Sequence, residues 1–362
     1  MSRRDHGWLR TLFAIALASV FALAFVACGE TRDDEDDGGG GTAAEGEANP
    51  EAEIPEGLEV VSIPKQLGNP YEEIEHDGVK EAIEELGGSH RYEGPTDAGA
   101  SSQVPLINAA AQQGVDALII AANDPNAVCP ALDQARQRDV AIVAMDSDTA
   151  PECRSIFINQ ASSEDIGDTQ IEMVCEQIEG CEGEIAILSA TPNATNQNTW
   201  IEFMEEELEE NEKYANLELV EIAYGNDDDQ KSFQETQGLL QAYPDLKGII
   251  APTTVGIAAA ARYICGSPYE GKVVVTGLGT PNQMRKFVKS GCVEEFALWN
   301  PADVGYLAGH AAANLAAGRI TGAEGETFEA GRLGEYEIGE NGEVILGPPT
   351  RFNQDNIDDF DF

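Results

Sequence analysis

The stretch VDALIIAANDPNAVCPALDQARQRDVAIVAMD, residues 115–146, decides the fold. Its first eight residues, VDALIIAA, are almost wholly apolar and do not alternate with polar ones, the pattern of a strand buried on both faces. PNAVCPALDQARQR then carries apolar residues at helical spacing, and VAIVAMD (140–146) is a second buried strand. Strand, helix, strand at this spacing is a parallel pair joined by a right-handed crossover.

Outward from this unit the same cycle repeats. LEVVSIP (58–64) and SHRYEG (89–94) read as strands flanking the helical PYEEIEHDGVKEAIEELG (70–87). Downstream, EIAILSA (184–190), NLELVEIAY (216–224), KGIIAP (247–252), KVVVTGLG (272–279) and VEEFALWN (293–300) are strands separated by helix-period segments. About nine such units exceed one comfortable open sheet, so two α/β lobes with parallel sheets are expected. The stretch GETFEAGRLGEYEIGENGEVILGPP reads as an antiparallel ending.

The N-terminus has a different character. Arg3, Arg4 and Arg10 precede the uncharged TLFAIALASVFALAFVA, and Cys28 follows it. A basic start, an apolar run and a small residue before a cleavage point mark an export signal, expected over residues 1–27. Phe25-Val26-Ala27-Cys28 resembles a lipobox, with Phe where Leu is usual, so Cys28 is the expected lipid carrier. A plain membrane anchor is the competing reading, since 17 apolar residues are at the short end of a spanning helix. Residues 28–57 are acidic, rich in Gly and poor in large apolar side chains, and are expected to form a disordered tether. Either way the folded part works outside the cytoplasm, held to a membrane face.

Acidic residues outnumber basic ones 66 to 21, a net charge of −45. That field repels phosphate and excludes nucleic acid as a partner. With hydrophobic content at 42%, the chain still has the means to build a core, so the charge belongs to a soluble surface. Four scattered histidines, no C-x-x-C and no nucleophile or phosphate-loop motif leave no metal centre, no cofactor and no enzyme constellation. In open parallel sheets ligands sit beyond the carboxyl ends of the strands. The polar residues placed there are Lys65, Asn123, Asp124, Asp146, Asp148, Thr191 to Gln197, Pro252 to Thr254, Gly279, Thr280, Trp299 and Asn300, with Tyr71 at the head of the 70–87 helix. Carboxylates, amides, hydroxyls and an aromatic suit a neutral polyhydroxylated ligand. Each isolated Asn, Asp or Thr competes with a helix-cap role, and Asp124 before Pro125 reads as a cap.

The order IPK (63–65), GPTDA (94–98), QVPLINAAAQQGVDALIIAANDPNAVCPAL (103–132), DSDTAPECRS (146–155), FINQ (157–160), TNQNTW (195–200), QAYPDLKGIIAP (241–252), GLGTPNQMR (277–285), FALWNPADVG (296–305) and FNQDNIDDFDF (352–362) resembles the type I periplasmic sugar-binding proteins. Within them it is similar to the rhamnose-binding and autoinducer-2-binding branch. The resemblance covers residues 58–362. It implies two Rossmann-like lobes joined by a three-strand hinge, closing on a ligand delivered to an ABC permease, and a monomer. It places the crossings near Ser147, Asn300 and Thr327, so that 58–147 with 300–326 form one lobe and 148–299 with 327–362 the other. It also implies ligand contacts at Lys65, Asp146, Gln197 and Pro252. Two positions depart from the autoinducer-2 receptors: Asn196 stands where they have Asp, and Thr254 where they have Ala. Both departures favour rhamnose or a similar deoxy-aldose, with autoinducer-2 as the alternative. Lys65 and Asp146 are expected to face the ligand, an ion pair between them being the competing role. Trp299 is expected to stack on it, a hinge-core role competing.

With Cys28 set aside, six cysteines remain outside the reducing cytosol. Cys129 and Cys153 follow adjacent strands at the cleft end of one lobe. Cys175 and Cys181 share one far-side connection, and Cys265 and Cys292 lie in adjacent far-side connections. Joining neighbours gives Cys129–Cys153, Cys175–Cys181 and Cys265–Cys292, with no bond across the hinge.

Overall fold

The structure, a computed structural model, describes residues 47–362. The expected signal peptide, Cys28 and the greater part of the tether lie outside the described residues. The first lobe begins with β1 (Glu59–Ile63), α1 (Pro70–Glu85), β2 (Ser89–Tyr92), α2 (Val104–Gln113), β3 (Ala117–Ile120), α3 (Cys129–Arg136), β4 (Ala141–Met145) and β5 (Ile156–Asn159). The second comprises α4 (Ser163–Gln177), β6 (Gly183–Ser189), α5 (Thr195–Glu210), β7 (Leu217–Tyr224), α6 (Asp229–Ala242), β8 (Gly248–Ala251), α7 (Thr254–Ile264), β9 (Val274–Gly277), α8 (Pro281–Lys289) and β10 (Phe296–Leu298). The chain then returns through α9 (Pro301–Ala316), β11 (Thr327–Glu329), β12 (Glu335–Glu337) and β13 (Glu343–Ile345), and ends its regular structure at β14 (Thr350–Phe352).

Two parallel sheets result. The first has the order β13-β5-β4-β3-β1-β2 and the second β7-β6-β8-β9. A bridge from Leu278 to Ala297 carries the second sheet on to β10, which pairs antiparallel with β14. β3 and β4, the pair read at 115–146, lie side by side in parallel register, and every residue of β3 is buried. The fold is α/β with two lobes, as expected.

The lobe boundaries differ from the expected ones at two crossings. The chain does not leave the first lobe near Ser147. It loops through Cys153 and comes back as β5, parallel to β4, so the crossing follows Gln160. The return is held by Arg154, whose Nε and Nη2 donate to the two oxygens of Asp148 at 2.7 and 2.6 Å. The third crossing is not near Thr327. β11 and β12 form an antiparallel hairpin, and β13 then joins β5 in the first sheet in parallel. The chain crosses between Ile345 and Thr350. The ending is therefore only partly antiparallel, because β13 completes an open parallel edge. The middle crossing lies between β10 and α9, at Trp299 and Asn300.

The end of the expected tether is also corrected. Asn49 N donates to Gly318 O at 2.9 Å, Arg319 Nε donates to Ala52 O at 2.5 Å, and Ile54 packs against the core. Ile54 is the one large apolar side chain of residues 28–57, and burying it anchors this piece to the first lobe.

Two helices place the cleft floor. Asn69 caps α1, its Oδ1 accepting from Tyr71 N at 3.0 Å, and Pro70 takes the first helical position. α1 packs on α9 at a glycine crossing. A Cβ on Gly78 would stand 2.0 Å from Ala302 O, and one on Gly305 1.9 Å from Glu75 O. Only hydrogen fits there, so the helices touch backbone to backbone, with Glu72 and Glu75 on the buried side of α1. The disulfides Cys129–Cys153, Cys175–Cys181 and Cys265–Cys292 are formed as expected, with Cα separations of 5.3, 4.6 and 5.8 Å. None of them joins the two lobes.

Candidate functional site

The carboxyl ends of β1, β4, β6, β8 and β10 converge on a small cavity of about 40 Å³ between the lobes. Of the candidates, Lys65, Tyr71, Asp146, Asn196, Gln197, Pro252, Thr254 and Trp299 line it, as does Thr253 from the strand-end set. At its centre Lys65 Nζ lies 2.7 Å from Asp146 Oδ2, and both side chains are buried. Asp146 has a left-handed backbone (φ 59°), a turn that Asp tolerates, directly after β4. Tyr71 Oη donates to Asp146 Oδ1 at 3.2 Å, and Trp299 Nε1 donates to Tyr71 Oη at 2.7 Å. From the second lobe, Asn196 Nδ2 donates to Asp146 Oδ2 at 3.2 Å. The ion pair is thus formed within the first lobe and capped by the second. Trp299 is a hinge residue and a cavity wall at once: its ring stands edge-on to those of Tyr71 and Trp200.

Gln197 is largely committed to the fold. Its Oε1 accepts from Ser189 Oγ and from Ala190 N, both at 2.8 Å. Asn123, Asp124, Thr280 and Asn300 are not brought to the cavity. Asn123 Nδ2 donates to Lys65 O at 2.9 Å, so it holds the loop that carries the lysine. Asp124 Oδ1 accepts from Asn126 N and Ala127 N, closing a turn ahead of α3 rather than capping the helix as expected. Thr280 donates to Gln283 at the start of α8, and Asn300 caps α9 by accepting from Ala302 N. The corrections share a physical cause: short polar side chains at strand ends are spent on the local backbone and on neighbouring side chains of the loops and helix starts that follow.

Asn69, Glu72, Trp200, Asp227, Leu278 and Leu298 also line the cavity and were not singled out from the sequence. Asp227 follows β7 and fits the strand-end rule, so it was findable. Glu72 was not, because it sits on a helix dense in acidic residues.

Three buried acids, Glu72, Glu75 and Asp146, with half-buried Asp227 and the Lys65 cation, set the electrostatics. Glu72 accepts from Lys65 N at 3.2 Å, while both carboxyl oxygens of fully buried Glu75 have no hydrogen-bond partner. Burial would lower the Lys65 ammonium, but the charges of Asp146 and Glu72 outweigh it and the group is held above its usual range. Burial pushes Glu72 up to about 8 against the pull of Lys65, and Glu75 well above the carboxylate range, with Asp146 adding repulsion. Burial and the Asp146 charge also raise Tyr71, so it stays a hydrogen-bond donor. The arrangement offers donors and acceptors in pairs against an apolar wall of Trp200, Trp299, Leu278 and Leu298, and no nucleophile–base pair. Among the described residues there is no cluster of metal-ligating side chains, and no helix is long and apolar enough to cross a membrane.

The chain matches the model of the periplasmic binding protein domain over residues 60–320. A sugar ABC transporter structure from Actinomyces odontolyticus is 55% identical, with TM-score 0.69, over 84% of this chain and 98% of that one. An ABC transporter solute-binding protein from Clostridium phytofermentas with bound L-rhamnose is 38% identical, with TM-score 0.81, over 84% and 98%. LsrB from Clostridium saccharobutylicum in complex with AI-2 is 25% identical, with TM-score 0.79, over 84% and 100%. A cleft between two parallel-sheet lobes and these matches agree: the chain belongs to the periplasmic binding protein family, the type I branch that supplies extracytoplasmic sugar-binding proteins to ABC importers, a family of solute binders rather than enzymes.

Proposed function

We propose that the protein captures L-rhamnose or a similar 6-deoxy aldose and hands it to an ABC permease, as a monomer tethered to the membrane by lipid on Cys28. The observation that carries the choice of sugar is the pairing of polar and apolar walls. Lys65, Asp146, Asn196 and Thr254 can meet ring hydroxyls, while Trp200, Trp299, Leu278 and Leu298 offer a dry surface for a methyl group and the C–H face of the ring. The neutral Asn196 supports the same reading. Its amide reaches both Asp146 and, at 3.5 Å, Lys65. A carboxylate there would set a second charge beside Asp146, with Asp227 also lining the cavity and Lys65 to offset them. The L-rhamnose complex at 38% identity points the same way. The autoinducer-2 reading is supported by Lys65, Asp146, Gln197 and Pro252 and by the AI-2 complex at 25% identity.

Calorimetric titration with L-rhamnose, L-fucose, D-fucose, D-ribose, D-arabinose and autoinducer-2 separates the two. The expected result is tightest binding of L-rhamnose, and weaker binding of sugars with a hydroxymethyl or no substituent where rhamnose has its methyl. Binding of autoinducer-2 with no heat from any aldose overturns the sugar reading in favour of the receptor.

A further inference from the structure

We propose that Asp227 is the ligand-hydroxyl acceptor of the second lobe, the residue that sets which hydroxyl pattern the cleft accepts, and that Gln66 latches it to the first lobe. The proposal rests on the aldose reading above and deepens it. After β7 the chain makes a tight turn. Gly225 N donates to Ser189 O at 2.8 Å and Asn226 N to Ala190 O at 2.7 Å. Asn226 and Asp227 are consecutive left-handed residues, φ 57° and 49°. Among non-glycine residues, Asn and Asp tolerate that conformation best. The turn brings Asp227 to the cavity wall.

There its two ends are held from opposite sides. Thr253 Oγ1 donates to Asp227 Oδ1 at 2.5 Å, within the second lobe. Gln66 Nε2 donates to the Asp227 carbonyl at 3.1 Å, from the first lobe and from the residue next to Lys65. Among the described residues Asp227 Oδ2 takes part in no hydrogen bond. Asp146 differs: Lys65 and Asn196 share its Oδ2, and Tyr71 donates to its Oδ1. Asp227 therefore brings a half-occupied carboxylate to the cavity. Such a group accepts and does not donate, so it demands a hydroxyl that donates and rejects a sugar lacking one at that place. A hydroxyl seated on Oδ2 and the Gln66 bond both hold the loop in the closed arrangement.

The test is a cycle of protein and ligand variants. Wild type, Asp227→Asn and Gln66→Ala are titrated with L-rhamnose and with its ring-deoxy analogues, each lacking one hydroxyl. Asp227→Asn is expected to bind the parent sugar about ten- to a hundred-fold more weakly. It should lose nothing further with one analogue, the one missing Asp227's hydroxyl, while the other analogues still lose affinity. Gln66→Ala should release ligand faster and leave the ranking of analogues unchanged. Equal losses of Asp227→Asn with every analogue, or no loss at all, overturn the proposal. The cycle is run on whichever aldose the wild-type protein binds most tightly. Rejection of L-rhamnose alone then overturns the choice of sugar and leaves Asp227 under test with another, whereas binding of no aldose overturns both.

Discussion

Replacing Lys65 with methionine is expected to cost the ligand-free protein about 3–5 kcal/mol, the usual result of stripping one partner from a buried ion pair. Lys65 is 7% exposed and lies 2.7 Å from Asp146. Among the described residues it is the only cation lining a cavity that also presents Glu72, Asp146 and Asp227. Methionine keeps much of the stem's volume but leaves Asp146 with the Tyr71 hydroxyl and the Asn196 amide as its remaining donors. At roughly 2–4 °C per kcal/mol, a melting temperature lower by about 10 °C follows. Combining Lys65→Met with Asp146→Asn removes the orphaned charge, and more than half of the lost stability should return. Ligand affinity should not return, because both charged partners are then gone. Calorimetric melts of the three variants with and without sugar make the distinction. A Lys65→Met protein as stable as wild type would show that the pair adds nothing to the fold, and full affinity in the double variant would show that it does not meet the ligand.

The fold was legible because buried parallel strands write themselves as unbroken apolar runs, as in Leu118–Ile120 and Ile142–Met145, and because helices between them keep their own period. The first crossing was not, because β5 is four residues long and follows the loop through Cys153 that leaves β4 before the chain returns to the sheet. β13 was read as part of an antiparallel ending because three residues, Glu343–Ile345, carry no sign of the strand they will meet. At the site, strand ends revealed Lys65, Asp146, Asn196 and Trp299, whose side chains have nowhere to point but the cleft. The same rule over-reached at Asn300, which caps α9, and at Thr280, whose hydroxyl is spent on the Gln283 side chain. Glu72 and Glu75 were hidden by their surroundings. In PYEEIEHDGVKEAIEELG the acids look like a solvated face, and only the backbone contact at Gly78 and Gly305 turns that face inward.

That inward turn makes stability depend on pH in an unusual direction. Burial first, and then the Asp146 charge, favour the protonated forms of Glu72 and Glu75 in the folded state. For Glu72 the value rises from 4.5 to about 8. A carboxyl that binds its proton more tightly when folded stabilises the protein at low pH, and that contribution is lost as pH climbs from the unfolded value through the folded one. His90 works the other way. Burial lowers it from 6.5 to about 3, so its protonation favours unfolding below neutrality. Between the unfolded glutamate and histidine values His90 offsets one of the two glutamates, so the fall is shallow up to the unfolded histidine value, roughly pH 6.5. Above it the glutamates act alone, and Glu72 by itself accounts for a fall of about 2 kcal/mol between roughly pH 6.5 and 8.5. Glu75→Gln and Glu72→Gln keep the shape of the side chains and remove the titration. Each should flatten the fall, and the pair together should abolish most of it. Denaturant melts of wild type and variants across this interval read the slope directly. If wild type is as stable at pH 8.5 as at 6.5, or if the glutamine variants fall as steeply, the protons are not on α1. Should the slope be as expected, Glu72 in its neutral form presents a hydroxyl donor to the cavity beside Lys65, which widens the set of sugar oxygens that the first lobe can meet.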